Sequence, residues 1–257
     1  MSLQMQKAPR EGASEIALTE AERSARVELA ACYRIFDLLG WTELIFNHIT
    51  LRVPVPQRVF LINPFGLMYN EVTASNLVAV DTEGNPVRPG QRPINRAGFV
   101  VHSAIHGHID GAHCVMHTHT TAGSAVAGLE DGLSHDSFYG SMLHGRVAYH
   151  DFEGVTVNLD ERQRLVRSIG DKKAVILRNH GLLSWGGSIQ EAFLWLWTLQ
   201  RACDIQVATA SAGASRRLEP TVLAQAARDG AVEPIVFDLV YAALKRKLDA
   251  TDQSYKN

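Results

Sequence analysis

The chain has 257 residues, enough for one large α/β domain or two small ones. A hydrophobic share of 46% against 20% charged residues supplies a core, and a net charge of −2 leaves no basic field to hold nucleic acid or anionic lipid. No apolar run approaches the roughly 18 residues of a membrane span, and the polar start, Met1 to Ala13, lacks the apolar stretch of a secretion signal. Cys32, Cys114 and Cys203 are odd in number and widely spaced, which fits buried, reduced thiols in a cytoplasmic protein.

Residues 1–18 are expected to form a flexible N-terminal arm, and residues 19–257 a single domain. Thr19 and Glu22 have the spacing of a capping box and open a helix with Leu29, Tyr33, Phe36 and Leu39 on one side, stopped by Gly40. After the mixed stretch Trp41 to Asn47, His48 to Val53 alternates as a strand with one face on the core, ended by Pro54 and Pro56. Val59–Ile62 and Leu77–Val80 are further strands. Asn95 caps a helix with Phe99, Val100, Ile105 and Ile109, on which His102 and His106 stand at i,i+4; His102 is expected beneath a site, and His106 and His108 in more exposed positions.

Val115 to Thr120 suits an extended conformation. Side chains alternate along a strand, so His117 and His119 share a face, while Cys114 has the opposite parity. A second apolar strand, Ala174 to Leu177, runs into Arg178-Asn179-His180-Gly181, which places His180 at a strand end. Three neutral imidazoles with an open position are the usual composition of a catalytic zinc site; ordinary core or surface histidines are the alternative account. Residues 129–146 show little periodicity, as expected of an active-site loop. Val147–Tyr149 and Val155–Val157 read as short strands before a helix from about Leu159 to Gly170. Ser188 and Glu191 form a second capping box before the longest helix, apolar almost all round, which ends at Gly213. A last helix carries Ile235, Phe237, Leu239, Val240 and Leu244. Strands joined by both tight turns and helices indicate a mixed sheet covered by helices on both faces.

From about Glu20 to Gly213 the chain resembles the class II aldolase/adducin family, with its nearest likeness to the adducin head-domain branch. The resemblance rests on Gly40-Trp41-Thr42-Glu43-Leu44-Ile45-Phe46-Asn47-His48-Ile49-Thr50, Pro64-Phe65-Gly66-Leu67-Met68-Tyr69, Val147-Ala148-Tyr149-His150-Asp151 and Ile176-Leu177-Arg178-Asn179-His180-Gly181. It implies an α/β fold, a three-layer αβα sandwich with a mixed, largely antiparallel central sheet, and a homotetramer with sites at subunit interfaces. The family includes fuculose- and rhamnulose-phosphate aldolases and ribulose-phosphate 4-epimerase. Its zinc is held by an H-x-H pair and a later histidine, here His117, His119 and His180.

The departures from the family pattern bear on function. The position of the aldolases' catalytic acid falls on Gly98, and the two serines that hold substrate phosphate become Arg96 and Ala97. The hydroxyl residue of the Pro-containing turn is Phe65, and the Gly-Asn of the phosphate loop becomes Asn47-His48. Bases that the resemblance places near the site are Glu43, His48, Tyr139 and His144, each also explicable as a solvated loop residue. Asn47, His48 and Arg96 are the candidate substrate-binding residues; the Arg96 guanidinium has the geometry to clamp a carboxylate or phosphate, and a surface salt bridge is its other account. Two function classes follow: a metal-dependent lyase or epimerase of carbohydrate metabolism acting on a small hydroxy-carbonyl or sugar-derived substrate, and a non-catalytic adducin-like binding or assembly module. The chain ends at Asn257 without counterparts of adducin's neck and basic tail, so no actin, membrane or nucleic-acid partner is expected.

Overall fold

β4 (Cys114–Thr118) lies at the centre of a sheet of seven strands. The others are β1 (Ile49–Arg52), β2 (Phe60–Ile62), β3 (Val78–Val80), β5 (Val147–His150), β6 (Ala174–Leu177) and β7 (Gly181–Gly186). The computed structural model describes residues 18–54, 58–154 and 161–257. The strand order is β3-β2-β1-β4-β7-β6-β5, and every pairing is antiparallel except that of β5 with β6. The expected mixed, largely antiparallel sheet is therefore observed.

Strand parity divides the core into layers. Cys114 and Met116 of β4, with Ala174 and Ile176 of β6, pack on α1 (Glu20–Leu38) and α6 (Ile189–Ala212). Val115 and Val175 face the opposite way, onto Val101, Ala104 and Ile105 of α2 (Arg96–His108) and Leu165 and Ile169 of α5 (Glu161–Ile169). Helices on both sides explain one departure from expectation. β1 is buried on both faces rather than one, with Ile49, Thr50 and Leu51 all inside. The three cysteines are free and buried, and Cys114 faces away from His117 as its parity requires.

Several local expectations change in detail. Thr19 does cap α1, accepting from the Glu22 amide at 3.1 Å, but the Glu22 carboxylate does not return the bond. It is buried between Arg26 (2.9 Å) and Arg88 (2.6 Å), because two guanidinium groups are stronger partners than one amide. Ser188 likewise caps α6, while Glu191 accepts from the Gly187 amide at 2.7 Å instead of completing the box. The stretch 129–146 contains a short helix, α4 (Phe138–Met142), capped by Ser137. α3 (Thr121–Ala127) precedes it, and α7 (Pro220–Asp229), not anticipated, packs on it. α8 (Pro234–Asp249) covers part of α6, while its Ile235 and Leu239 point outward. The expected arm before Leu18, the stop at Pro56 and the strand at 155–157 lie outside the described residues. Among the described residues no helix is long and apolar enough to cross a membrane.

One buried hydroxyl ties α1 to the strands that carry the site. Tyr33 Oη accepts from the Ile49 amide (2.8 Å) and the Asn63 amide (3.2 Å), and donates within the same cluster of Ile49 and Asn63 oxygens. Tyr33→Phe leaves two amide donors unpaired in the core. It is expected to destabilise the fold by about 1–3 kcal/mol, read as a lowered midpoint in urea unfolding with an unchanged slope.

Candidate metal centre

β4 is hydrogen-bonded on one edge to β1, with Ile49 opposite Met116, and on the other to β7, with His117 opposite Leu183. This fixes which face each histidine takes. His119 follows the end of β4, and His180 closes the turn between β6 and β7. That turn explains its own sequence. Asn179 sits in the left-handed region at φ 55°, which its short polar side chain tolerates, and its amide donates to the Ala127 carbonyl at 2.9 Å. At Gly181 a Cβ would lie 2.3 Å from the Thr118 carbonyl oxygen, so only glycine lets the turn approach β4 this closely.

The three imidazoles converge. His117 Nε2 lies 2.7 Å from His119 Nε2 and 3.3 Å from His180 Nε2, and the ligand atoms all lie within 4.8 Å of one another. His117 Nδ1 donates to the Leu182 carbonyl at 2.8 Å, so in the neutral ring Nε2 presents a lone pair to the other two. Burial is the leading cause that holds all three below the usual imidazole range: His117 well below it, His119 below it, and His180 at about 4. Neutral nitrogens pressed together with no acidic partner fit a divalent cation, whose ligands must be unprotonated. Among the described residues this is the one such cluster of histidine, cysteine or acidic side chains.

The other sequence candidates are distributed more widely. Asn47 and His48 are buried beside β1, and neither amide atom of Asn47 has a hydrogen-bond partner. Arg96 is exposed in the first turn of α2, whose cap Asn95 accepts from the Gly98 amide. Glu43 is exposed. Tyr139 packs edge-on against Trp197 of α6, and His144 against His135. His144 lines a cavity of about 1080 Å³ to which no member of the histidine triad contributes. Among the described residues no hydrogen bond or ring contact joins Glu43, Tyr139 or His144 to the triad.

A family model described as the class II aldolase and adducin N-terminal domain matches residues 27–207. The chain belongs to this family. An aldolase II superfamily protein from Pseudomonas syringae has a solved structure that covers 93% of this chain and 98% of its own, with 43% identity and a TM-score of 0.90. An L-fuculose 1-phosphate aldolase from Glaciozyma antarctica is 28% identical, covers 96% of this chain and 97% of its own, and superposes with a TM-score of 0.79. Alpha-adducin of Rattus norvegicus is 48% identical over 206 residues, which are 79% of this chain but 28% of that protein.

One group of residues near the triad was not assigned a role by the sequence. His102 is buried beneath the site as expected, but His106, expected to be exposed, is buried too. The i,i+4 spacing was the visible signal. What it did not show is Thr50 from β1, which lies 2.7 Å from both rings.

Two outcomes follow from this geometry. His180→Ala is expected to weaken zinc binding by more than about a hundredfold, measured by competition with a chromophoric chelator. Burial pushes His106 down to about 4 from an ordinary 6.5, so its contribution to stability is fully present above pH 6.5 and is lost as pH falls towards 4. Thermal unfolding is expected to show a midpoint that drops across that window, and less steeply in His106→Gln.

Proposed function

We propose that this protein is a metal-dependent lyase of the aldolase type, acting on a small hydroxy-carbonyl compound that bears an anionic group. The observation that carries this reading is the convergence of three Nε2 atoms, with the tautomer of His117 fixed by the Leu182 carbonyl. His117, His119 and His180 hold the cation, and zinc is the metal that the imidazole set and the fuculose-phosphate aldolase likeness favour. A bound cation supplies Lewis-acid polarisation of a substrate oxygen. Arg96 binds the anionic group, with a planar fork suited to a carboxylate. Asn47, with both amide atoms buried and unpartnered, offers a donor and an acceptor to the same substrate. Glu43, Tyr139 and His144 make no contact with the triad of their own chain, so in this reading any base they supply acts across a subunit interface of a homotetramer. Light scattering of the purified protein is expected to give a tetramer; a 28.3 kDa species at micromolar concentration contradicts it.

Gly98 has no side chain with which to shuttle a proton, and Phe65 and Ala97 bring no hydroxyl to a phosphate. A positioned acid or base contributes about 10²–10⁴-fold. Zinc-loaded protein is therefore expected to cleave fuculose and rhamnulose 1-phosphates at well under about 1 s⁻¹, measured by coupled detection of dihydroxyacetone phosphate. Turnover should instead emerge from a screen of aldonates and hydroxy-keto acids, depend on metal, and fall in Arg96→Ala. The likeness to alpha-adducin favours a second reading, a non-catalytic binding module. Protein that stays metal-free after zinc supplementation supports that reading over the first.

A further inference from the structure

We infer that His48 is the ligand-facing imidazole of this site, occupying the space that Gly98 leaves empty and oriented, once ligand is bound, by a buried relay through His102, Thr50 and His106. The contact with ligand rests on the function proposed above; the relay and the exchange of space with Gly98 do not.

The register places the ring. With Ile49 opposite Met116, His48 falls opposite His117, and the two rings lie 6.0 Å apart, centroid to centroid. α2 then closes over it. A Cβ built on Gly98 would stand 2.0 Å from His48 Cε1 and 2.5 Å from each ring nitrogen. The ring therefore fills the volume that any side chain at 98 would need. His48 is 3% exposed, and neither of its nitrogens makes a hydrogen bond of good geometry, the Gly98 and Phe46 main chain being its nearby polar groups. A buried imidazole with both nitrogens unpaired beside three converging histidines is a group whose partner is a ligand.

The relay is settled by counting hydrogens. The Ala112 carbonyl can only accept, so His106 Nδ1, 2.8 Å away, donates to it. Burial keeps His106 neutral, so its Nε2 carries a lone pair and accepts the Thr50 hydroxyl hydrogen at 2.7 Å. That hydroxyl has no second hydrogen. The bond between Thr50 and His102 Nδ1, also 2.7 Å, must run from the imidazole N–H to the oxygen. The neutral His102 thus carries its lone pair on Nε2, which is buried and has no partner. The His48 ring lies against it, tilted by 46° with its centroid 4.2 Å from that of His102. When ligand binds, His48 turns one N–H to His102 Nε2 and presents its other nitrogen as an acceptor. An acceptor reads a hydroxyl, so this nitrogen selects a substrate hydroxyl group. His48 is the contacting residue; His102, Thr50 and His106 are positioning residues.

Side-chain 15N NMR of the histidines in the full-length protein tests the relay with no assay of activity. His106 and His102 are expected as Nδ1–H tautomers, unchanged in Thr50→Ser, and His102 is expected to lose its single tautomer in Thr50→Val while zinc binding stays within twofold. An Nε2–H tautomer at His102 in the wild type overturns the relay. The space exchange is tested by a double-mutant cycle. Gly98→Ala is expected to lower the melting temperature and shift the His48 ring signals, and His48→Ala is expected to cost less in the Gly98→Ala background than alone. Additive effects overturn it. The contact is tested by titrating zinc-loaded protein with hydroxyacetone and with acetone, its counterpart without the hydroxyl. Hydroxyacetone is expected to shift the His48 ring resonances and acetone to leave them in place; equal shifts, or none with either, overturn the contact. A protein that fails to bind zinc refutes the proposed function and leaves the tautomer and double-mutant results standing.

Discussion

β4 is hydrogen-bonded along both edges, to β1 and to β7, and has helices packed on both of its faces. A slip of one residue would exchange Met116 with His117 across the sheet, burying an imidazole against α6 and turning an apolar side chain towards α2. The apolar side chains on either side of the strand exclude that exchange. His117, His48 opposite it, and the approach of the β6–β7 turn all inherit their positions from this one register. The Tyr33 hydroxyl adds a clamp at the point where β1 begins, on the amide of the residue after His48.

The same sheet carries a concentration of buried polarity that a purely structural core would avoid. His48 and His117 are buried at the β1–β4 pairing, and His102 and His106 of α2 are buried over it. Burial pushes each below its usual range, and neutrality is what makes so many tolerable together. The hydrogen bonds that exist are local and complete at the α2 end, where Ala112, His106, Thr50 and His102 satisfy one another. They run out towards the triad, at His102 Nε2 and at both nitrogens of His48. Within this cluster of histidines the unsatisfied nitrogens are thus gathered on the side that faces the triad.

Much of this was legible in the chain. Period-two alternation put His117 and His119 together and Cys114 opposite, because parity in a strand is a matter of geometry alone. His180 was legible from an apolar strand running into Asn179 and Gly181, residues that suit a left-handed turn and a close backbone approach. The capping threonine and serine announced α1 and α6. The Glu22 carboxylate of the first box went elsewhere, since Arg88 lies 66 positions from it and local spacing cannot see so distant a partner. His106 was misplaced for a related reason. Its burial is created by the loop to Ala112 and by Thr50, 56 positions away, and not by the periodicity of α2. Gly98 read as the loss of an acid, while its positive role, making room for His48, depends on a contact between two segments that sequence order separates.

The meeting of Gly181 with the Thr118 carbonyl has a consequence for how such a protein can diversify. Main chain rests directly on main chain there, so the spacing between His180 and the His117–His119 pair does not pass through any replaceable side chain. The ring of His48, by contrast, sits in a space defined by what one neighbouring residue lacks, and a single substitution at either position redraws it. One half of the site is insulated from drift and the other is exposed to it. A chain built on this scaffold can keep its three-histidine cage while the space beside that cage changes shape.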